Sequence, residues 1–261
     1  MNPSHHDAGL GARAVTISRV ADNQWHAIEN DLVVGRSHAS RRLDGRTFVS
    51  IDTWRDDVFD RLAAAMQADQ AAPQYTVVDE TDHDLTASWV RAGFATWRRE
   101  SEFVVPTELA PGTVPSGVVI ATADEEPLRE LDQAIRAEVE STVGWATMPA
   151  EVLPWQGGTR PIDPSKYTIA QRDDRYVGLV RLATMTRRPR IGLVAVLATE
   201  QRHGIARALL TQALHGLHRD GFDAATAEID ETNTAATALF QGLGARRTGG
   251  SLELVRRQGK D

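Results

Sequence analysis

This 261-residue chain contains no cysteine, which excludes disulfides, thiolate metal sites and a cysteinyl acyl-enzyme. Any acyl transfer must then be direct or use another nucleophile. It has no apolar run near the roughly 20 residues needed to span a bilayer, and the stretch Met1-Asn-Pro-Ser-His-His-Asp7 lacks the apolar core of a signal peptide. The location expected on that basis is the cytoplasm, with no membrane partner. Basic charge is also in short supply: the formal net charge is -7 and the sequence pI about 5.6. No broad basic face exists to displace counterions, so a nucleic-acid partner is not expected and any basic patch is local. His5 and His6 are a nominal metal pair, but they fall in a terminal segment, residues 1–12, that reads as a disordered tail, and no metal is expected.

What is present is 41% hydrophobic residues, enough for a real core, in a length that fits one large or two small domains. The chain is organised around residues 194–210. Residues 191–197 are apolar apart from Gly192, which suits a central strand covered on both faces. From Gly204 onward Ile205, Leu209, Ala213, Leu214 and Leu217 recur at helical spacing. Between the two lie Gln201, Arg202, His203, Gly204, Ile205 and Ala206, with small residues where backbone must approach a ligand closely. The free N–H groups at the start of the helix, with the positive end of its dipole, suit a diphosphate.

Gln201-x-x-Gly204-x-Ala206 resembles the Arg/Gln-x-x-Gly-x-Gly/Ala loop of the GNAT acetyltransferase superfamily. A predicted strand over 224–230 then leads into Asn233-Thr-Ala-Ala236-Thr-Ala-Leu239-Phe240-Gln-Gly-Leu-Gly244, which is similar to the family's Asn-x-x-Ala-x-x-Leu-Tyr-x-x-x-Gly helix. The resemblance covers residues 118–257. It implies a mixed α/β sheet, acetyl-coenzyme A as co-substrate held by Gln201 to Ala206, and an amine acceptor. It also implies that Val194 and Val196 pair with the pantetheine arm as an added strand would, that the Val196 N–H polarises the thioester carbonyl, and that Asn233 and Phe240 lie near the coenzyme.

The first half is expected to hold strands at 14–18, 32–34, 48–52, 75–79 and 102–105, a helix over 55–67, and a short helix over 82–92 ending at Gly93. Thr53 is placed to cap the first helix, with Asp56 three residues on in the manner of a capping box. A shift of 151 positions lays Asp79-Glu-Thr81 over Asp230-Glu-Thr232, and Thr86, Ala87 and Gly93 over Thr237, Ala238 and Gly244. The first half therefore reads as a decayed copy of the second, whose cofactor loop is missing: it passes from Ile51 to Asp57 with no glycine. The segment 105–117, with three prolines and two glycines, reads as the link. The expected organisation is a degenerate GNAT-like domain over 13–105, a linker over 106–117 and a complete, coenzyme-binding domain over 118–261, in a monomer or homodimer.

In the second copy a strand opens at 118–121, Asp124 and Pro127 start a helix, and a hairpin turns at Arg172-Asp-Asp174. Residues 143–164 show no periodicity, and their Trp145 and Trp155 either line the acceptor cleft or pin the loop to the core. A basic cluster, Arg187-Arg-Pro-Arg190, reads as a solvated turn. For proton transfer from the amine the candidates are Glu228, on the strand beside the cofactor, and Glu200, just before the loop. The family's usual acid, a tyrosine, is replaced by Phe240. That departure keeps open a second reading, a non-catalytic acyl-coenzyme A sensor or scaffold. Asn233 reads as a helix cap before it reads as a catalyst.

Overall fold

The computed structural model describes residues 14–42, 44–110, 112–142, 144, 161–183 and 188–257. The chain forms two compact units, one of residues 1–76, 82–95 and 254–261, the other of residues 77–81 and 96–253.

In the first unit, β1 (Thr16–Ala21), β2 (Gln24–Glu29), β3 (Leu32–Arg41) and β4 (Thr47–Asp52) form an antiparallel meander, and β4 then runs parallel to the start of β5 (Gln74–Asp79). The β2–β3 hairpin turns on Asn30 and Asp31, both at positive φ (51° and 62°), the pair of left-handed residues that a two-residue type I′ loop requires. α1 (Asp56–Asp69) buries Val58, Phe59, Leu62, Ala63 and Met66. Its close approach to β3 needs Gly35, where a Cβ would sit 2.7 Å from Val58 Cγ1. α2 (His83–Arg91) adds Trp89, packed edge-on against Phe59 and Phe94 at 5.0 and 4.7 Å between ring centres. The expected capping box does not form. α1 begins at Asp56 with Arg55 as its N-cap and no side-chain cap, while Thr53 Oγ1 accepts from the Arg55 N–H at 3.3 Å and donates to the Val34 carbonyl at 3.1 Å. Thr53 serves the turn before the helix, one step too early to satisfy the helix itself.

The second unit is a mixed sheet in the order β12–β6–β11–β10–β9–β8–β7. Its elements are β6 (Ala95–Pro106), β7 (Val118–Thr122), α3 (Glu125–Ser141), β8 (Tyr167–Arg172), β9 (Arg175–Ala183), β10 (Arg190–Val196), α4 (Ile205–Arg219), β11 (Ala224–Asp230), α5 (Thr234–Gln241) and β12 (Arg246–Arg256). One face packs Ile191, Ala227 and Ile229 against Ile205, Leu209 and Leu214 of α4 and Phe240 of α5. The other packs Leu179 and Leu193 against Leu128, Leu131 and Ile135 of α3. β10 is thus covered on both faces, as its apolar run requires.

The repeat is drawn in the backbone. β5, α2 and β6 recur as β11, α5 and β12 at the same offset. Asp82 and Asn233 each cap their helix, accepting from Leu85 N and Ala236 N at 3.0 Å. Asp79 and Asp230 each accept the N–H two residues on, at 2.8 and 2.9 Å, and Gly93 and Gly244 end their helices at φ 87° and 82°. The compact units do not follow the linear boundary expected at residues 106–117. β6 is paired with β11 from Pro106↔Ala224 to Glu100↔Asp230, which places the last strand of the first repeat in the second unit. Among the described residues no helix is long and apolar enough to cross a membrane.

Candidate functional site

β10 and β11 run parallel, yet among the described residues they are in register only at Arg190↔Thr226 and Ile191↔Ala227. On its other side β10 stays paired with β9 to its end, Val194 facing Val180, Ala195 facing Leu179 and Val196 facing Gly178. The Leu197 N–H donates to the Val177 carbonyl at 2.9 Å. Hydrogen-bonded and non-bonded pairs alternate along an antiparallel ladder. Leu197 and Ala195 therefore turn their backbone groups toward β9, and Val194 and Val196 turn theirs the other way, to the side that β11 has left. The Val196 carbonyl accepts from Gln201 Nε2 at 3.0 Å, which fits that orientation. The result is an open strand edge inside a sheet, a place where backbone donors and acceptors are ready for an extended ligand.

Beyond β10 the chain makes one 3-10 turn, Ala198–Glu200, and reaches α4 through Gln201, Arg202, His203 and Gly204, all exposed. Arg202 and Gly204 take φ of 65° and 80°. Gly204 is the N-cap of α4, and no side chain caps that helix. Its first-turn donors and the positive end of a 15-residue helix are thus presented to the same opening. Ile205, fully buried, fixes the start of the helix to the core. The small side chain of Ala206 follows it, and a Cβ at Gly204 would meet only Pro115, at 3.7 Å, among the described residues.

Two contacts that the sequence does not announce brace this turn. Glu138, on α3, accepts the Ala198 N–H at 3.0 Å. Arg172, at the end of β8, holds Glu200 at 2.5 Å. Glu138 is one of several acidic residues on α3, and only the packing of that helix singles it out. Glu200 and Glu228, the candidates for proton transfer, are each held by an arginine; Glu228 pairs with Arg190 at 2.9 Å. Asn233 caps α5, as the sequence indicates. Phe240 is 4% exposed and belongs to the core around α4. Trp145 and Trp155 lie outside the described residues.

The wall on the β11 side is acidic. Glu228 stands opposite Glu102, and Asp230 opposite Glu100, on the face away from α4 and α5. Like charges directly opposite are unfavourable on a sheet, and Arg190 and Arg98 offset them in part. The Glu100 carboxyl is nevertheless pushed up from its ordinary range, first by burial, against the pull of Arg98, and further by Glu228, Glu253 and Asp230.

Residues 128–245, from α3 to the threshold of β12, match the Acetyltransferase (GNAT) family profile. The chain carries a GNAT acetyltransferase domain. Its fold is shared with a GCN5-related N-acetyltransferase from Sphaerobacter thermophilus, at TM-score 0.70 and 16% identity, covering 94% of this chain and 84% of that one. A GCN5-related N-acetyltransferase from Kribbella flavida aligns at TM-score 0.62 and 13% identity, over 95% of this chain and 91% of that one. A tandem GNAT protein from the clavulanic acid biosynthesis pathway aligns at 0.61 and 14%, over 91% and 83%. At such identities the likeness is one of fold, and it spans both repeats. A comparison with curated proteins found no match. The GNAT assignment makes the protein an acyltransferase, moving an acyl group from acyl-coenzyme A to an acceptor, with the splayed strands and the Gly204 loop in the second repeat.

Proposed function

We propose that the protein transfers an acetyl group from acetyl-coenzyme A to an amine by direct attack. The observation that carries this reading is the open edge of β10 next to the uncapped start of α4. Val194 and Val196 offer backbone donors and acceptors for a pantetheine arm, and the N–H groups from Gly204 into the first turn of α4 receive the diphosphate, with Gln201, Arg202 and His203 around them. The Val196 N–H faces the position of the thioester carbonyl, where a fixed donor stabilises the charge that develops on oxygen. Gln201 must release the Val196 carbonyl for the arm to pair there. The amine part of the reading draws on the carboxylates Glu228, Glu102, Asp230 and Glu100 on the β11–β6 wall, whose field favours a cation. An acceptor cleft between this wall and α3 also suits Trp145 and Trp155 as further substrate contacts.

The second reading, an acyl-coenzyme A-binding module without turnover, is favoured by Phe240, which brings no hydroxyl to the place of the family tyrosine. Thiol release from acetyl-coenzyme A over a panel of primary amines separates the two. Wild-type protein is expected to release thiol in an amine-dependent way and the Gly204→Glu variant to lose both turnover and calorimetric binding, because the new carboxylate fills the loop, opposes a diphosphate and strains a residue at φ 80°. Unchanged acetyl-coenzyme A affinity in that variant refutes the site; binding without thiol release for any amine supports the non-catalytic module.

A further inference from the structure

The structure assigns the amine's proton acceptor to Glu138, a residue that no motif in the sequence marks. This assignment rests on the acetyl-coenzyme A amine-transfer reading above. The Glu138 carboxylate accepts the Ala198 N–H at 3.0 Å. Because Leu197 turns its N–H to β9, the Val196 N–H points away from β9. Ala198 lies just past the paired strand, at the start of the 3-10 turn, so Glu138 reaches from α3 to the end of the open edge of β10. Two residues of extended chain separate the two amides, about 7 Å, so a group bound at Val196 and the Glu138 oxygen on Ala198 stand a similar distance apart, a gap that two waters in series span and across which they carry a proton. Oε2 is engaged by Ala198, and Oε1 has no cation beside it among the described residues. Glu200 and Glu228, by contrast, are held by Arg172 and Arg190.

An acceptor arriving as an ammonium gives one proton to Glu138. The freed nitrogen attacks the thioester carbonyl carbon, the C–N bond forms as the C–S bond breaks, and the nitrogen's second proton goes to the leaving thiolate. The products are the amide, the free thiol and protonated Glu138, which returns its proton to water. Glu138 is thus the catalytic carboxylate, and the Ala198 N–H fixes its direction.

The test uses full-length protein, acetyl-coenzyme A, and the primary amine from the panel that gives the highest rate above acetyl-coenzyme A hydrolysis. Glu138→Gln keeps an oxygen for the Ala198 N–H but cannot take a proton. Its kcat should fall about a hundredfold, with acetyl-coenzyme A affinity by calorimetry within twofold of wild type. Glu138→Ala, lacking the brace as well, should lose affinity in addition. Wild-type kcat in Glu138→Gln overturns the assignment, and so does a loss of affinity matching the loss of rate, which marks Glu138 as structural only. If wild-type protein binds acetyl-coenzyme A but no amine exceeds hydrolysis, the amine chemistry is refuted and the assignment with it. Failure of wild-type protein to bind acetyl-coenzyme A overturns the underlying reading instead, a result distinct from the others.

Discussion

Asn233 shows how much a single residue discloses and where it stops. Its place ahead of Thr234-Ala-Ala236 reads as a helix cap, and its Oδ1 accepts the Ala236 N–H at 3.0 Å. Asn233→Ala should cost about 1 kcal/mol in stability, measured as a lower midpoint in urea with unchanged slope; an unchanged midpoint contradicts the cap. Gly204 was equally legible, since a glycine between a buried strand and a helix has few other uses, and it takes the left-handed φ of 80°. Thr53 misleads for a physical reason. A threonine near a helix start competes for any free N–H, and here it takes that of Arg55, one residue short of the helix. Glu138, Arg172 and Arg190 were not legible, because their roles depend on which elements pack together. Glu200 and Glu228 look free in the sequence and are paired in the fold for the same reason.

At the scale of elements, strands were legible where an apolar run or a two-residue alternation marked them. β10 was found close to its limits through the run from Ile191 to Val196, broken only by Gly192, and β11 through the alternation that buries Ala225, Ala227 and Ile229. β2 was missed because its turn, Asn30-Asp31, has no glycine, and β3 was read too short because the buried residues of its second half are Ser37 and Ala39. β6 was cut short at its charged first half, Arg98-Arg-Glu100, where Arg98 is held by ion pairs to Glu100 and Glu253. That half carries a consequence for pH. Glu100 titrates above its ordinary value, so the native state binds its proton more tightly than the unfolded chain does. Stability therefore falls as pH rises from the ordinary carboxyl value through the native one, and the penalty is complete above it. Glu100→Gln removes this titration, and Glu253 remains 3.1 Å from Arg98 Nε to compensate the lost partner. The melting temperature of the variant relative to wild type should rise as pH increases from the ordinary carboxyl value through the raised native one. A difference that stays constant across that range contradicts the raised carboxyl.

Across the whole molecule the repeat explains both what is shared and what is lost. Among the described residues β4 and β5 are in register only at Thr47↔Gln74 and Phe48↔Tyr75, as β10 and β11 are only at two positions, so the first repeat keeps the divergence of its strands. α1, like α4, has no side-chain cap. What it lacks is the loop: no glycine lies between Phe48 and Gln67, and Asp56 and Asp57 occupy the first turn of α1. Each carboxylate there opposes a bound diphosphate, and the guanidinium groups beside them are engaged, Arg55 by Glu29 at 2.9 Å and Asp57 at 2.8 Å and Arg91 by Asp56 at 3.0 Å. The offset of the repeat was legible in Asp79-Glu-Thr81 and Asp230-Glu-Thr232, whereas the placement of β6 in the second unit was not, since strand pairing leaves no mark in local sequence. The measurement that bears most directly on this account is calorimetric titration of the intact chain with acetyl-coenzyme A. Binding should saturate at one equivalent per chain and disappear in Gly204→Glu; two equivalents, or binding that survives that substitution, would contradict a single site at the second repeat's loop.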